Sequence, residues 1–264
     1  MSGTHLLLRL IHIGFGFAVL VLFWIPISSR KGGRTHRSSG QLYLWLGRVV
    51  VATAIISCLW AQIDPAERIG SGDLERDREG VIADVRFFFG LLGVLALAAL
   101  TQLEQGVFII RRSAARSART WLLVVATVTG VTALVLAGWG VLTLISGGTT
   151  WHGLVRLAMA AFGLGLARST LATARGAYPT GRERQVAHLD AMLGSGVAFY
   201  TAFGVFGFGR LLGLDVLEGG PIAFLPWIAP AIVGTVLTRW WKRRITAPTK
   251  IAPRDITQQP TVGS

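Results

Sequence analysis

Four of the chain's five histidines, His12, His36, His152 and His188, lie at the edges of long apolar stretches, each with a charged neighbour. Arg9 and His12 are three residues apart, and His152 and Arg156 are four apart, spacings that place each couple on one helical face. His36 is followed directly by Arg37, and His188 is followed two residues on by Asp190. A neutral imidazole can ligate a metal ion or haem iron, and its charge changes near neutral pH. Arginine beside it adds a planar cation suited to carboxylates and phosphates. Two further charges complete the set. Glu104 is the only acid well inside an apolar stretch, and Arg48 is at a comparable depth. A lone buried carboxylate would sooner take up a proton than stay charged. An ion pair between the two is therefore expected, and it reads equally as a bridge locking two helices.

The elements that must position these groups follow from composition. The chain has 264 residues, 52% hydrophobic and only 15% charged, against roughly 25% charged in soluble globular proteins. Mean hydropathy is +0.56. A disordered chain, an ordinary cytosolic enzyme and a disulfide scaffold are excluded. The single cysteine, Cys58, allows no intramolecular disulfide and no cysteine-rich zinc site. A transmembrane helix needs about 20 predominantly apolar residues. Seven stretches qualify, at approximately 5–28, 41–63, 85–109, 120–146, 150–173, 187–212 and 221–241. The expected fold is all-α: a polytopic seven-span bundle over 1–244, followed by a disordered tail, 245–264, containing Pro248, Pro253 and Pro260.

Charge then orients the bundle. Arg30, Lys31, Arg34 and Arg37 follow the first span; Arg111, Arg112, Arg116 and Arg119 follow the third. Arg175, Arg182 and Arg184 follow the fifth, and Arg239, Lys242, Arg243 and Arg244 close the seventh. Acids gather after the second span, at Asp64, Glu67, Asp73, Glu75, Asp77, Glu79 and Asp84. Positive loops stay in the cytoplasm, so the N-terminus is expected outside and the C-terminus inside. The net charge of +13 is thereby accounted for by topology and by contact with anionic headgroups at the cytoplasmic face. No basic folded module suggests nucleic-acid binding.

With this orientation the polar residues fall into two sets. A cytoplasm-facing set comprises His36, Arg37, Arg48, Glu104, His188 and Asp190; an outer set comprises Arg9, His12, His152 and Arg156. Histidines paired by depth, His12 with His152 and His36 with His188, would suit axial ligation of haem b. His36 and His188, with Asp190 beside them to fix a tautomer, would equally suit a divalent metal. Retinal is excluded, because a Schiff base needs a mid-membrane lysine and the only lysines are Lys31, Lys242 and Lys250. Small residues offer faces for close helix approach: Gly194, Ser195, Gly196 and Ala198 in the sixth span, Gly90 and Gly93 in the third, Gly130 and Ala133 in the fourth, Ala161 and Gly165 in the fifth.

The run from Lys31 through Gly32, Gly33, His36, Arg37 and Gly40 to Tyr43 resembles a bacterial family of predicted multi-pass membrane proteins of unknown function, domain of unknown function twenty-three-oh-six. A second stretch, from His188 through Met192 and Gly194 to Thr201-Ala202-Phe203, is similar to that family's second signature. The resemblance covers spans 1–2 and 5–6. It implies an emphasis on His36, Arg37 and His188 and carries no activity with it.

Three functions are compatible with these residues. One is an inner-membrane transporter or sensor binding a metal, a proton or a small anion at the cytoplasm-facing set. Another is a b-type haem redox protein. The third is a structural or accessory subunit, self-associating or bound to a membrane partner. None requires the chain to be an enzyme, and the sequence shows no catalytic set. The orientation has a direct test: a reporter active only in the cytoplasm should work when fused after Arg244 and stay silent when inserted near Gly72. The reverse pattern would invert every side assigned above.

Overall fold

Backbone amides that leave water must pair within their own segment, and long apolar stretches do so as α-helices. The computed structural model describes residues 3–68, 78–111, 116–148, 150–176, 180–208 and 225–246, and among these there is no strand. Seven long helices follow one another: α1 Gly3–Ser28, α2 Arg34–Ile63, α3 Arg78–Arg111, α4 Arg116–Ile145, α5 Thr150–Ala174, α6 Gly181–Phe203 and α7 Leu225–Thr246. A short 3₁₀ turn, Pro65–Arg68, follows α2, and a π-helical turn, Gly204–Phe208, extends α6.

Among the described residues, five helices are long and apolar enough to cross a membrane: Leu7–Ser28 of α1 and the whole of α2, α3, α4 and α5. The expectation of seven such spans is met only in part. The first ten residues of α6 include Arg182, Glu183, Arg184 and Asp190, and the last turns of α7 include Arg239, Lys242 and Arg243, which shortens the apolar part of each. The expected sixth and seventh spans also run into 209–224, outside the described residues; of the expected tail, 245–264, Ile245 and Thr246 belong to α7 and the rest lies outside the described residues. The helices overrun the expected limits elsewhere. α2 begins at Arg34 and takes in His36 and Arg37, while α3 begins at Arg78 and takes in Asp84.

Successive helices run in opposite directions, as their cross-contacts show. The start of α2 meets the end of α1 through His36 and Pro26, and the end of α2 meets the start of α3 through Gln62 and Arg86. Tight turns make this reversal. Gly32 has φ +75° between α1 and α2, and Gly147 has φ +73° after α4, a left-handed conformation in which a side chain is strained.

α3 is the central post. It packs against α2, α4, α5 and α6, while α1 lies on α2 and α6, and α7 lies on α6. The largest core joins Leu20 and Phe23 of α1, Tyr43 and Val51 of α2, Leu95 and Leu103 of α3, and Leu193 and Phe199 of α6. A second joins Phe87, Leu91 and Val94 of α3 to Leu136 of α4 and Ala160 of α5. Outward faces are apolar as well: Leu10, Phe17 and Val21 on α1, and Val128, Leu134 and Val135 on α4, are exposed. Such a surface suits lipid and would be a liability in water.

α4 and α5 share the most extensive interface, and small residues make it. Gly130 faces Ala167, Gly163 faces Ala133, and Gly140 faces Gly153. The expected pair on α5, Ala161 and Gly165, is on the wrong face: Ala161 is exposed and Gly165 has open space around it. Each residue turns the helix by about 100°, so the neighbours that face α4 are instead Ala160, Gly163 and Ala167. A Cβ on Gly153 would sit 2.6 Å from Leu144 and 3.1 Å from the Gly140 carbonyl oxygen. Gly153→Ala should therefore cost about 1–3 kcal/mol by overpacking. Gly165→Ala should be neutral or slightly stabilising, which thermal melts of the two variants in one detergent will check.

Candidate functional site

α1 ends at Ser28, leaving the carbonyls of its last turn without helical partners. The α1–α2 connection satisfies them. Lys31 folds back so that Nζ donates to the Pro26 carbonyl at 3.1 Å and to the Ile27 carbonyl, and Ser29 Oγ donates to Pro26 at 3.2 Å. A cation there also complements the negative end of the helix dipole. Burial holds the Lys31 ammonium below the ordinary lysine pKa.

His36, in the first turn of α2, reaches the same carbonyl: its Nδ1 lies 2.9 Å from Pro26 O. His188, in the second turn of α6, has its Nδ1 2.8 Å from Gly106 O near the end of α3. A carbonyl oxygen only accepts, so each Nδ1 carries the hydrogen and each neutral ring presents its Nε2 lone pair. This arrangement commonly orients metal-ligating histidines. Both His36 and Lys31 lie within Coulombic reach of His188. The two stretches that carry the family resemblance meet again deeper in the bundle. There Tyr43 OH donates to Ser195 Oγ at 2.9 Å, Ser195 in turn donating to Met192 O.

Other members of the expected cytoplasm-facing set are placed apart. Arg37 is exposed. Asp190 does not orient His188: its Oδ2 pairs with Lys242 of α7 at 2.6 Å, and its Oδ1 is buried without a hydrogen-bond partner among the described residues. Residues two apart on a helix do not share a face, and the Gly106 carbonyl takes the tautomer-fixing role expected of Asp190. Among the described residues, no three His, Cys, Asp or Glu side chains form a metal-binding group.

Arg48 and Glu104 do pair, in a bidentate fork with Nε–Oε1 at 2.6 Å and Nη2–Oε2 at 2.8 Å. Glu104 is 5% exposed and Arg48 31%. The Arg48 guanidinium also stands 5.1 Å above the Trp45 ring. The pair borders a cavity of about 140 Å³ together with Arg111 and Trp121. A second cavity, about 280 Å³, lies between α3, α5 and α6 beside Gln102, Gln105, Ser169, Thr173 and Asp190.

The expected outer set separates into two places, because α1 packs on α2 while α5 packs on α3 and α4. His12 Nδ1 donates to Thr53 Oγ1 at 2.9 Å, since the Thr53 hydroxyl is itself donated to the Val49 and Val50 carbonyls. Arg9 is exposed on α1. His152 stacks on Phe87 with centroids 4.0 Å apart, its Nε2 3.9 Å from Asp84 Oδ1. Arg156 is buried between Phe87 and Trp139, at 4.9 and 4.4 Å, and donates to Thr143 Oγ1 at 2.7 Å. His12 and His152 thus have separate partners and do not form the facing pair that an outer haem would need.

Several polar contacts had no expectation attached. Gln105 donates to Thr173 Oγ1 at 3.0 Å and accepts from Thr170, and the Thr101 and Thr129 hydroxyls meet at 2.7 Å. Uncharged residues inside spans are common enough that only spacing relative to Glu104 could have singled them out. Searches of protein-family models, of curated proteins and of solved structures give no match to this chain.

Arg48→Ala leaves Glu104 buried without its cation and should destabilise by about 1–3 kcal/mol, the lower end of the range for buried pairs because Arg48 is partly exposed. The double variant Arg48→Met/Glu104→Leu should recover most of that loss. A double-mutant cycle on melting in detergent reads the coupling, and additive effects would mean the pair contributes nothing as a pair.

Proposed function

We propose that this chain is a seven-span bacterial inner-membrane protein, N-terminus outside and C-terminus in the cytoplasm, that binds a first-row transition-metal ion at His36 and His188 as part of transport or sensing. The observation that carries the reading is the pinning of both rings: each Nδ1–H is held by a backbone carbonyl from another helix, so both Nε2 lone pairs are oriented without further cost. Imidazole suits zinc, copper, nickel and iron. Two protein ligands leave the remaining coordination positions to water or to a passing ligand, as an open rather than a structural site does. Basic residues cluster at the same end of the helices, Arg34, Arg37, Arg111 and Arg184 among them, which supports placing that end in the cytoplasm. Membership of the family of domain of unknown function twenty-three-oh-six is part of the same proposal.

A haem at this end is the second reading, favoured by the same two rings standing on α2 and α6, which share one core with α1 and α3. Packing counts against it. Tyr43, Leu193 and Phe199, inward of the histidines, are all buried and pack together in that core. Purified protein titrated with Co²⁺ or Ni²⁺ should bind one equivalent, with at least tenfold weaker binding in His36→Ala and in His188→Ala and little change in His12→Ala. Equal binding by all three variants sinks the metal site. A Soret band lost in the same two variants would transfer the site to haem.

A further inference from the structure

The cavity beside the Arg48–Glu104 pair has a different chemistry from the histidine end. It lies between α2, α3 and α4, and its charged lining is Arg48, Arg111 and Glu104, a surplus of one positive charge. Glu104 occupies Nε and one hydrogen of Nη2 on Arg48, two of the five N–H donors a guanidinium presents. Among the described residues, neither the remaining Arg48 donors nor Arg111 has a hydrogen-bonded acceptor. At about 140 Å³ the cavity is far larger than the ~15 Å³ of probe-occupied space that one water requires.

The rim identifies the occupant. Trp121 is 47% exposed, Trp45, under the Arg48 guanidinium, is 63% exposed, and Leu42, Ile110 and Val124, within three residues of Trp45, Arg111 and Trp121 along their helices, are also exposed. On helices that cross a membrane these side chains face lipid, and tryptophan at such a rim marks headgroup depth. A soluble anion entering from water would meet a polar mouth. Here an anion enters beneath indole rings and beside aliphatic chains, which fits a group carrying its own acyl tails. Basic pockets between helices on the cytoplasmic side suit anionic headgroups, and two guanidinium groups suit the non-bridging oxygens of a phosphodiester.

We infer that the Arg48–Arg111–Trp121 cavity binds the phosphodiester headgroup of an anionic phospholipid, with Glu104 fixing the Arg48 fork in place. The inference rests on the membrane placement proposed above and is independent of the histidine site.

Native mass spectrometry of the delipidated full chain, offered phosphatidylglycerol, phosphatidylcholine or inorganic phosphate, tests it. Wild type should retain phosphatidylglycerol at least tenfold more strongly than phosphatidylcholine. Arg111→Gln, an exposed position whose change should not disturb folding, should abolish most of that preference. The neutral double variant Arg48→Gln/Glu104→Gln, which leaves no unpaired buried charge, should do the same. Unchanged preference in both variants overturns the site, as does equal retention of the zwitterionic lipid. Inorganic phosphate competing as well as the lipid does would assign the cavity to a soluble anion and overturn the lipid assignment. Recovery of the chain without detergent, in the soluble fraction, would instead remove the membrane placement and is read before any lipid is added.

Discussion

Six consecutive residues of α3, Thr101 to Gly106, hold most of the bundle together. Lipid tails are as apolar as leucine, so burial alone does not draw helices together inside a bilayer. Attachment has to come from close packing and from polar contacts between helices. Thr101 reaches Thr129 of α4, Glu104 takes Arg48 of α2, and Gln105 holds Thr170 and Thr173 of α5. Gln102 lies against Gly194 of α6, Leu103 against Gly47 of α2, and the Gly106 carbonyl accepts from His188 of α6. Six residues at about 100° each sweep more than a full turn, so the segment points at every neighbour α3 has.

The histidine end is built by the same economy. Pro26 and Gly106 supply carbonyls near the ends of α1 and α3, and the start of α2 and of α6 each bring one imidazole to them. The contacts that register α1 against α2 and α3 against α6 are therefore the contacts that aim the two rings. A side chain at Gly106 would have to push aside the terminal methyl of Met192 and would press on Ala191, on the face of α6 that meets α3. The bonds that hold the helices in register also orient both imidazoles.

Helix positions were legible because apolar length is a one-dimensional property, and α5 ends within a residue of its expected limit. The Arg48–Glu104 pair was legible because a solitary acid among apolar residues has few ways to remain charged. Which way a helix faces was not. Gly165 and Asp190 were expected on contact faces, yet Gly165 looks into open space and Asp190 looks toward Lys242, since a shift of one or two residues rotates a side chain to another neighbour. The outer set failed for a different reason. His12 and His152 were matched by depth alone, and depth says nothing about α3 and its core standing between α1 and α5. Gln105 and the threonines around it were invisible because neutral polar residues leave no charge imbalance to be resolved.

The polar segment of α3 also constrains the order of assembly. Ribosomes deliver helices in sequence, so Glu104 finds Arg48, already made, as soon as α3 arrives. Thr101 and Gln105 wait for α4 and α5, which come as a hairpin zipped by glycines. The Gly106 carbonyl, the groove against Gln102 and the Tyr43 hydroxyl all wait for α6, which packs against α1 and α3 after five helices are in place. That late insertion closes the core and sets the second histidine at one stroke. A chain stalled before α6 would therefore be a membrane bundle that holds His36 against Pro26 but leaves the Gly106 carbonyl without His188, with an open groove along α3 where α6 belongs.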